Sequence, residues 1–360
     1  MAPIKSSLAR SVSKLLGAFR DRDTSLRGFA VSRFTPPPID ASGGNAEYSL
    51  NGYKYHVYTS SGSLVINESS GTVEFLIVGG GGGAGAGASN DYGRSGGGGG
   101  AGGFRCSFTG ITPGGPSASA ESGLSLGPGT YPVTIGDGGS GFGSGPGGTP
   151  NNGGDSSFGP PSTPARVFAS GGGRGAGGRS NAGAPSTGGS GGGASAQEQD
   201  SQPKSSFPGS PNLGGTAGTE NEGVNQIVAG YNGGRCGSES NTGGGGGGAG
   251  AAGEDGSDGD DALDGRAGAG KSVPTDMVPT SYGTTGPSPG RWFAQGGFAS
   301  SENSGGAYDS AGGGGANPDH WTSSPGVNGA TNTGGGGGGR GDGQTGGNGG
   351  SGIVILRYPE

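Results

Sequence analysis

The sequence predicts a mainly β fold with packed polyglycine II helices (a glycine-rich sandwich), preceded by a short N-terminal amphipathic α-helix. Glycine supplies 99 of the 360 residues. Much of it lies in five uninterrupted runs, at 79–83, 96–100, 243–248, 312–315 and 334–339. An apolar segment typical of a buried strand precedes the first run at 73–78, and another follows the last run at 353–358. Apolar residues also recur at helical spacing over 4–19.

The glycine runs need a source of stability other than an apolar core. Ordering a backbone costs about 1–2 kcal/mol per residue, and glycine lies at the expensive end. A polyglycine II helix has three residues per turn and no internal hydrogen bonds, so parallel and antiparallel copies can satisfy each other's amides. A Cβ atom would hold such neighbours apart, which is why we expect glycine there. The alternative interpretation, flexible linkers, stays open at this point.

Strands are predicted mainly in the first half of the chain. Apolar residues alternate with polar ones over 53–58, which indicates a strand buried on one face. Turns at 60–62 and 68–71 separate this strand from strands at 63–67 and 72–78. Shorter strands are predicted at 104–109, 131–135 and 166–169. The last strand, 353–358, is apolar enough to be central in a sheet, and few strands are expected between 171 and 352.

The N-terminal segment, 1–33, is predicted to dock onto another protein. It holds seven basic and two acidic side chains, although the whole chain has a net charge of −7. The apolar stripe consists of Ile4, Leu8, Val12, Leu15, Leu16 and Phe19, with Arg10 and Lys14 off the stripe. A helix of this length is marginal alone and needs a partner surface. Packing on its own domain, membrane binding and an organelle-targeting presequence are the alternatives.

Three domains follow from these patterns. The basic docking segment occupies 1–33, and a Pro-rich linker occupies 34–52, because three consecutive prolines at 36–38 enforce an extended backbone. The β/polyglycine domain occupies 53–360. We expect no membrane span and no secretory signal, because no apolar stretch is long enough. The acidic body argues against nucleic-acid binding.

Enzymatic activity, a metal site and a cofactor are not expected. Residues 265–272 match the phosphate-binding loop pattern, but no buried strand precedes them and Pro274 discourages the helix that must follow. The acidic segment 256–264 resembles one calcium-binding nonapeptide without the consecutive repeats that such rolls need. We favour a solvated acidic loop there, and a surface divalent ion held by its aspartates stays open. No Cys/His cluster has metal-site spacing. For Cys106 and Cys236 we favour two thiols, and a disulfide between them stays open.

Aromatic residues in the polar loops are the candidate recognition residues. Rings stack on sugars and proteins, and neighbouring amides fix their orientation. The candidates are Tyr92, Tyr231, Trp292, Phe293 and Trp321. The alternative interpretation is that these rings cap the ends of the glycine sandwich.

An ordered set of motifs resembles a known family. The motifs are VEFLIVGGGGG (73–83), GGGGAGGFR (97–105), GTYPVTIG (129–136), GGSGGGA (188–194), GGGGGGA (243–249) and SGIVILRYP (351–359). Together they resemble the glycine-rich domain of bacteriophage tail-fibre and other virion proteins, over about 53–359.

The resemblance implies a phage protein located in the virion. The expected function is that of a tail-fibre or adhesin subunit, docked to the particle through 4–19 and presenting loops for host attachment. Its expected partners are other virion proteins of tail or capsid, a host cell-surface receptor or glycan, and further copies of itself. The alternative function is a capsid decoration or head-fibre protein with no receptor role.

Overall fold

The chain forms short β-strands joined by extended glycine-rich segments. The computed structural model describes residues 38–87, 95–116, 119–143, 149–160, 166–177, 183–195, 219–220, 227–237, 242–256, 265–300, 312–315, 324–341 and 344–360, and these contain no helix. The helix predicted at 4–19 lies outside the described residues. The strands, in chain order, are β1 (Asp40–Ser42), β2 (Ala46–Leu50), β3 (Tyr53–Tyr58), β4 (Gly62–Glu68), β5 (Gly71–Val78), β6 (Phe104–Cys106), β7 (Leu124–Leu126), β8 (Gly129–Thr134), β9 (Ser156–Phe158), β10 (Val167–Ala169), β11 (Thr219–Glu220), β12 (Ile227–Val228), β13 (Lys271–Val273), β14 (Arg291–Phe293) and β15 (Ile353–Pro359).

Two antiparallel sheets organise the strands of the described chain. The central sheet has the order β2-β3-β15-β5-β6, with β7 pairing β5 outside this path. The second sheet has the order β1-β4-β8-β9-β10. Two small hairpins, β11–β12 and β13–β14, complete the pairing. The predicted strands at 63–67, 72–78, 104–109, 131–135 and 166–169 are confirmed as β4, β5, β6, β8 and β10, and two of them, β6 and β10, are shorter than predicted.

The C-terminal strand β15 is central, as predicted. It pairs with β3 on one side and with β5 on the other, so that Val354 lies between Tyr58 and Ile77. The four residues Ile353, Val354, Ile355 and Leu356 are all 0% exposed. A strand that is covered on both faces and paired on both edges is an unbroken apolar run for that reason.

The central sheet is covered on both faces. Its first face, which includes Phe75 and Val354, packs on the second sheet through Leu64 and Phe158. Its opposite face packs under the segment that carries β13 and β14, through residues such as Phe293. The prediction that 53–58 is buried on one face only is therefore wrong. Of the polar residues in this alternation, His56 is 0% exposed, and its ring is covered by the Gly43 carbonyl, which follows β1, and by the Tyr358 hydroxyl.

The Pro-rich linker predicted at 34–52 is also wrong in part, because β1 and β2 lie within it. The turn between β2 and β3 consists of Asn51 and Gly52, with φ of 53° and 78°. Positive φ at both central residues is the type I′ geometry that Asn-Gly favours in two-residue hairpins. The strand β2 is therefore an edge strand of the central sheet, and it pairs with β3.

A buried cation fixes the register of β15. The guanidinium of Arg357 donates from Nε to Glu74 Oε2 at 2.6 Å and from Nη1 to the Tyr55 hydroxyl at 3.1 Å. It also stacks on the rings of Phe108, at 4.0 Å, and Tyr53, at 4.4 Å. Because its partners lie on β3 and β5, Arg357 connects the three central strands.

Backbone hydrogen bonds in the glycine-rich segments repeat every three residues. The amides of Gly79, Gly82 and Gly85 donate to one antiparallel segment, at Gly103, Gly100 and Gly97. The two intervening positions of each triplet donate to two further segments, near 151–154 and 347–350. We call the interconnected segments the glycine array; they are 79–87, 95–103, 135–143, 149–155, 170–177, 183–195, 229–237, 242–256, 265–270, 294–300, 312–315, 324–341 and 344–352.

The segment 95–103 is the centre of the array. It donates backbone hydrogen bonds to 334–340, 170–176 and 244–247, and accepts them from 79–85, 190–193 and 297–300. Six hydrogen-bonded neighbours surround it, and its residues are buried. A Cβ added to Gly99 would overlap the carbonyl oxygen of Gly82. Flexible linkers are therefore the wrong interpretation of the described runs, whose amides have fixed partners.

Candidate functional site

The glycine array has a strand end and a loop end. At the strand end, Gly79 follows β5, Gly103 precedes β6 and Gly352 precedes β15. At the opposite end the amides of Gly87 and Gly96 both donate to the carbonyl of Arg340. We call this second place the loop end.

Residues that flank several connecting segments meet at the loop end. Ser95 bridges to Gly341, next to the bridge between Ala86 and Arg340. The amide of Gly96 also contacts the Ser300 hydroxyl at 3.1 Å. The connections 88–94 and 342–343 are thus joined to the array at one place, where the connection that follows Ser300 also begins. Gly312, at the other end of that connection, lies beside Gln295 and the Thr284 hydroxyl, next to β14.

Further flanking residues extend the same end. The amide of Gly237 donates to Thr242, and that of Gly265 donates to Asp255. Gly265 in turn accepts a hydrogen bond from Ala299, one residue before Ser300. The connecting segments 238–241 and 257–264 therefore start and finish beside those around Ser95.

The described aromatic candidates do not gather at the loop end. Tyr231 is half-buried, and its amide donates to the Gly248 carbonyl. Two residues after Gly248 the chain turns back at the strand end. Trp292 is half-buried in β14, and its indole donates to the Ser288 carbonyl at 3.2 Å. Phe293 is 0% exposed and belongs to the core under the central sheet. The prediction that Phe293 contacts a receptor is therefore wrong, because the whole ring is covered.

The other two aromatic candidates lie outside the described residues. By sequence, Tyr92 belongs to the connection between Gly87 and Ser95, and both of these residues are at the loop end. Trp321 belongs to the connection between Gly315 and Ser324. The arginine of the Arg340-Gly341-Asp342 sequence is 0% exposed. This arginine is thus not available to an outside receptor.

A comparison with protein-family models matches residues 59–359 to one family, described as the glycine-rich domain. The chain belongs to the glycine-rich domain family. A search of curated proteins gives no match. The matched region of the glycine-rich domain begins one residue after β3, although β3 pairs along its whole length with the final strand β15. The hairpin β2–β3 is therefore part of the folded body.

Side chains that could bind a metal ion are not clustered in the described part of the glycine-rich domain. No group of three or more His, Cys, Asp or Glu side chains is close enough there to hold a metal ion. Lys271, of the phosphate-loop-like sequence, lies in β13 and donates to the Thr112 hydroxyl at 2.8 Å. Burial raises the pKa of the Cys106 thiol to about 12, so Cys106 is not a nucleophile at neutral pH. No helix in the described residues is long and apolar enough to cross a membrane.

One buried titratable group connects the glycine-rich domain to the hairpin before it. His56 Nδ1 lies 2.7 Å from the Gly43 carbonyl, which can only accept, so Nδ1 carries the proton. Nε2 then accepts from the Tyr358 hydroxyl at 3.0 Å. Glu47 Oε1 is the facing charge, 3.7 Å from Nδ1. Burial lowers the pKa of His56 below its ordinary value of 6.5, outweighing the Gly43 hydrogen bond and the Glu47 charge.

We expect acid to destabilise the fold through His56. The folded protein binds a second proton on the His56 ring less tightly than the unfolded chain does. The contribution of neutral His56 to the free energy of unfolding is therefore complete above about pH 6.5 and is lost as the pH falls below that value. Each unit by which the folded pKa lies below the unfolded one corresponds to about 1.4 kcal/mol. Urea unfolding at a series of pH values should show a steeper loss for the wild type than for His56→Gln. Parallel pH profiles for the two proteins would contradict this assignment.

Proposed function

We propose that this chain is a bacteriophage virion structural protein, a tail-fibre or adhesin subunit in which the glycine array holds recognition loops away from the sheets. The observation that carries the proposal is the convergence of the connecting segments at the loop end. The likeness of its ordered motifs to virion glycine-rich domains supports the same function. The established family membership is coarser and names no such role.

The proposal includes the conformation of the array, which we infer to be packed polyglycine II helices. The three-residue repeat of the hydrogen bonds supports this inference, since that helix has three residues per turn. Exposure repeats with the same period over 136–143, where Gly136, Gly139 and Phe142 are buried and Asp137 and Ser140 are exposed. At about 3.1 Å per residue, the eight steps from Gly79 to Gly87 span about 25 Å.

Such an array is a suitable support for recognition. Binding residues are often found on loops that a rigid scaffold positions. Sequence changes in the connections at the loop end leave the glycines of the array in place, because the hydrogen bonds described for the array lie in the segments that flank them. A cell-surface receptor or glycan is the partner we propose for them, with Tyr92 and Trp321 as the contact candidates.

The N-terminal segment is proposed to attach the protein to the particle. Its stripe would pack on another virion protein, while Arg10 and Lys14 remain at the rim; the stripe consists of Ile4, Leu8, Val12, Leu15, Leu16 and Phe19. Several copies would then be held side by side in the virion.

Deleting residues 1–33 tests the attachment. We expect the body from Pro38 onward to keep its thermal unfolding temperature, because Pro38–Glu360 is a compact unit by its own contacts. We expect its copy number in purified particles, measured by mass spectrometry, to fall by at least about tenfold, since incorporation depends on docking. Leu15→Asp is the matched single-site variant. Full incorporation of the shortened protein would contradict the docking role.

Cryo-electron microscopy of intact particles tests the location. We expect density for the glycine array at the end of a tail appendage, with the loop end outward. Density tiled over the head shell would instead assign the chain to capsid decoration, and would remove the receptor from the proposal.

A further inference from the structure

Asparagine is followed directly by glycine at five places in this chain, at 51–52, 152–153, 232–233, 328–329 and 348–349. Such a pair is prone to spontaneous deamidation, because glycine has no side chain that shields its amide nitrogen. Once deprotonated, that nitrogen attacks the side-chain carbonyl carbon of the preceding asparagine. The reaction therefore needs a glycine amide that can lose its proton and a carboxamide that can turn towards it.

The glycine array holds the attacking amides of three pairs. Each of these amides donates a hydrogen bond to the backbone carbonyl of another array segment. The bonds run from Gly153 to Gly172 at 2.9 Å, from Gly329 to Asn348 at 2.8 Å and from Gly349 to Gly139 at 2.8 Å. Removal of the amide proton at these glycines therefore requires the array to open.

The carboxamides of the same three pairs are held as well. Asn152 Oδ1 accepts from the Arg174 amide at 3.1 Å. Asn348 Oδ1 accepts from the Gly141 amide at 2.8 Å, and Asn328 Oδ1 accepts from the Asn348 amide at 2.8 Å. Each carboxamide is thus bonded to the backbone of another segment, and it must leave that partner before it can meet its own glycine.

A fourth pair, Asn232-Gly233, has its backbone fixed in the array. The Asn232 carbonyl accepts from the Gly253 amide at 3.0 Å. A Cβ added to Gly233 would overlap the Gly192 carbonyl oxygen, so the segment packs closely on its neighbour there. The backbone rotation that would bring the Gly233 nitrogen to the carboxamide therefore also requires the array to open.

The fifth pair, Asn51-Gly52, is different because it is the exposed two-residue turn between β2 and β3. The strand ladder ends at the pair of Leu50 and Tyr53, so the Gly52 amide lies outside it. A Cβ added to Gly52 would meet nothing within 4 Å. The carboxamide is bonded at an exposed position, from Asn51 Nδ2 to the Asp276 carbonyl at 2.9 Å. Attack at Asn51 therefore needs a local change of the turn, and the array can stay closed.

We propose that Asn51 is the site at which the folded chain deamidates, and that the glycine array protects the other four asparagines. The Gly52 nitrogen bonds to Asn51 Cγ, the Cγ–Nδ2 bond breaks, and ammonia leaves with the former amide proton. Water then opens the cyclic imide at either carbonyl and gives aspartate or isoaspartate. The net reaction consumes one water, releases one ammonia and involves no oxidation or reduction.

Both products change the turn beside Asp276. Each removes the Nδ2 donor of Asn51 and places a carboxylate in its position. Isoaspartate also adds a methylene group to the backbone of the turn, which would disturb the register of the edge strand β2. The inference concerns the folded body, so it does not rest on the proposed virion function.

The test is peptide mapping by mass spectrometry of the full chain, incubated at neutral pH in heavy-oxygen water. The label enters each aspartate or isoaspartate as it forms and so excludes older conversion. We expect Asn51 to convert at least about tenfold faster than each array asparagine, because a single hydrogen bond that must break slows a reaction about threefold to tenfold. The sites for comparison are Asn152, Asn232, Asn328 and Asn348.

The same chain unfolded in urea is the control. All five asparagines should then convert at comparable rates, because each is followed by glycine and the array is lost. Equal rates at Asn51 and at an array asparagine in the folded protein would overturn the proposal. A lead of Asn51 in urea as well would overturn it too, since local sequence would then explain the preference.

A matched pair of variants examines the protection by the array. Gly99→Ala, whose Cβ would overlap the Gly82 carbonyl oxygen, should speed conversion at the array asparagines and leave the rate at Asn51 unchanged. Gly143→Ala, whose Cβ meets nothing within 4 Å, should change neither rate. The comparison of folded and unfolded wild type stays decisive if Gly99→Ala fails to fold.

Discussion

Removal of residues 353–360 should leave no folded body. The truncation takes out β15, so β3 and β5 lose their shared partner and the central sheet is divided. It also deletes four fully buried aliphatic side chains, Ile353 to Leu356. Burying each one contributes about 1.5–3 kcal/mol, and the total is comparable with the whole stability of a typical protein, about 5–15 kcal/mol. Circular dichroism and hydrogen exchange of the truncated chain measure this directly.

Two milder variants calibrate that experiment. Deleting Glu360 alone, which is exposed, should change the free energy of unfolding by less than about 1 kcal/mol. Ile355→Ala should cost about 2–5 kcal/mol, because it opens a cavity at a 0% exposed site. A truncated protein with native hydrogen-exchange protection in the glycine array would show that the array folds without its closing strand.

The second large effect is expected from a single methyl group. In Gly99→Ala the new Cβ would overlap the Gly82 carbonyl oxygen and approach the Gly337 amide nitrogen at 3.0 Å. Both obstacles are backbone atoms within hydrogen-bonded segments, so no side chain can rotate to make room. We expect a loss of about 3 kcal/mol or more in the free energy of unfolding, at or beyond the upper end for overpacking. Urea denaturation with matched m-values is the measurement.

Gly143→Ala is the control for this substitution. It adds the same atom to the same array, but nothing lies within 4 Å of the new Cβ. Its effect should be within about 0.5 kcal/mol of zero or slightly stabilising, because alanine restricts the unfolded chain. If both variants lost the same stability, the cost would come from glycine's backbone freedom, and close packing of the array would not explain it.

Local sequence patterns account well for the strands that are unbroken apolar runs. The segments 73–78 and 353–358 could be predicted as buried strands because β-branched and aromatic residues without turn residues fit a covered sheet. The Asn51-Gly52 pair is an equally local indication of a hairpin, but the prediction of a linker at 34–52 did not take it into account. Strand β9 had no such sign, because Ser-Ser-Phe does not alternate, and it forms by pairing with β8 and β10.

The aromatic candidates were less predictable. Trp292 and Phe293 lie in a polar, glycine-rich stretch whose local sequence suggests that it is exposed. The hairpin β13–β14 lays Phe293 against the central sheet, more than 200 residues away from Val78 in sequence. Burial of that kind depends on long-range contact, and local polarity does not indicate it.

The sequence alone determined the chemistry of the backbone: only runs without Cβ atoms can approach one another closely, and only uninterrupted apolar strands can lie at a sheet centre. It did not determine which run meets which. That pairing was decided by tertiary structure, because all polyglycine segments offer the same donors and acceptors every three residues. Their partners are selected by the strands at their ends, where Val78 pairs with both Ile353 and Phe104 and so brings three glycine segments together.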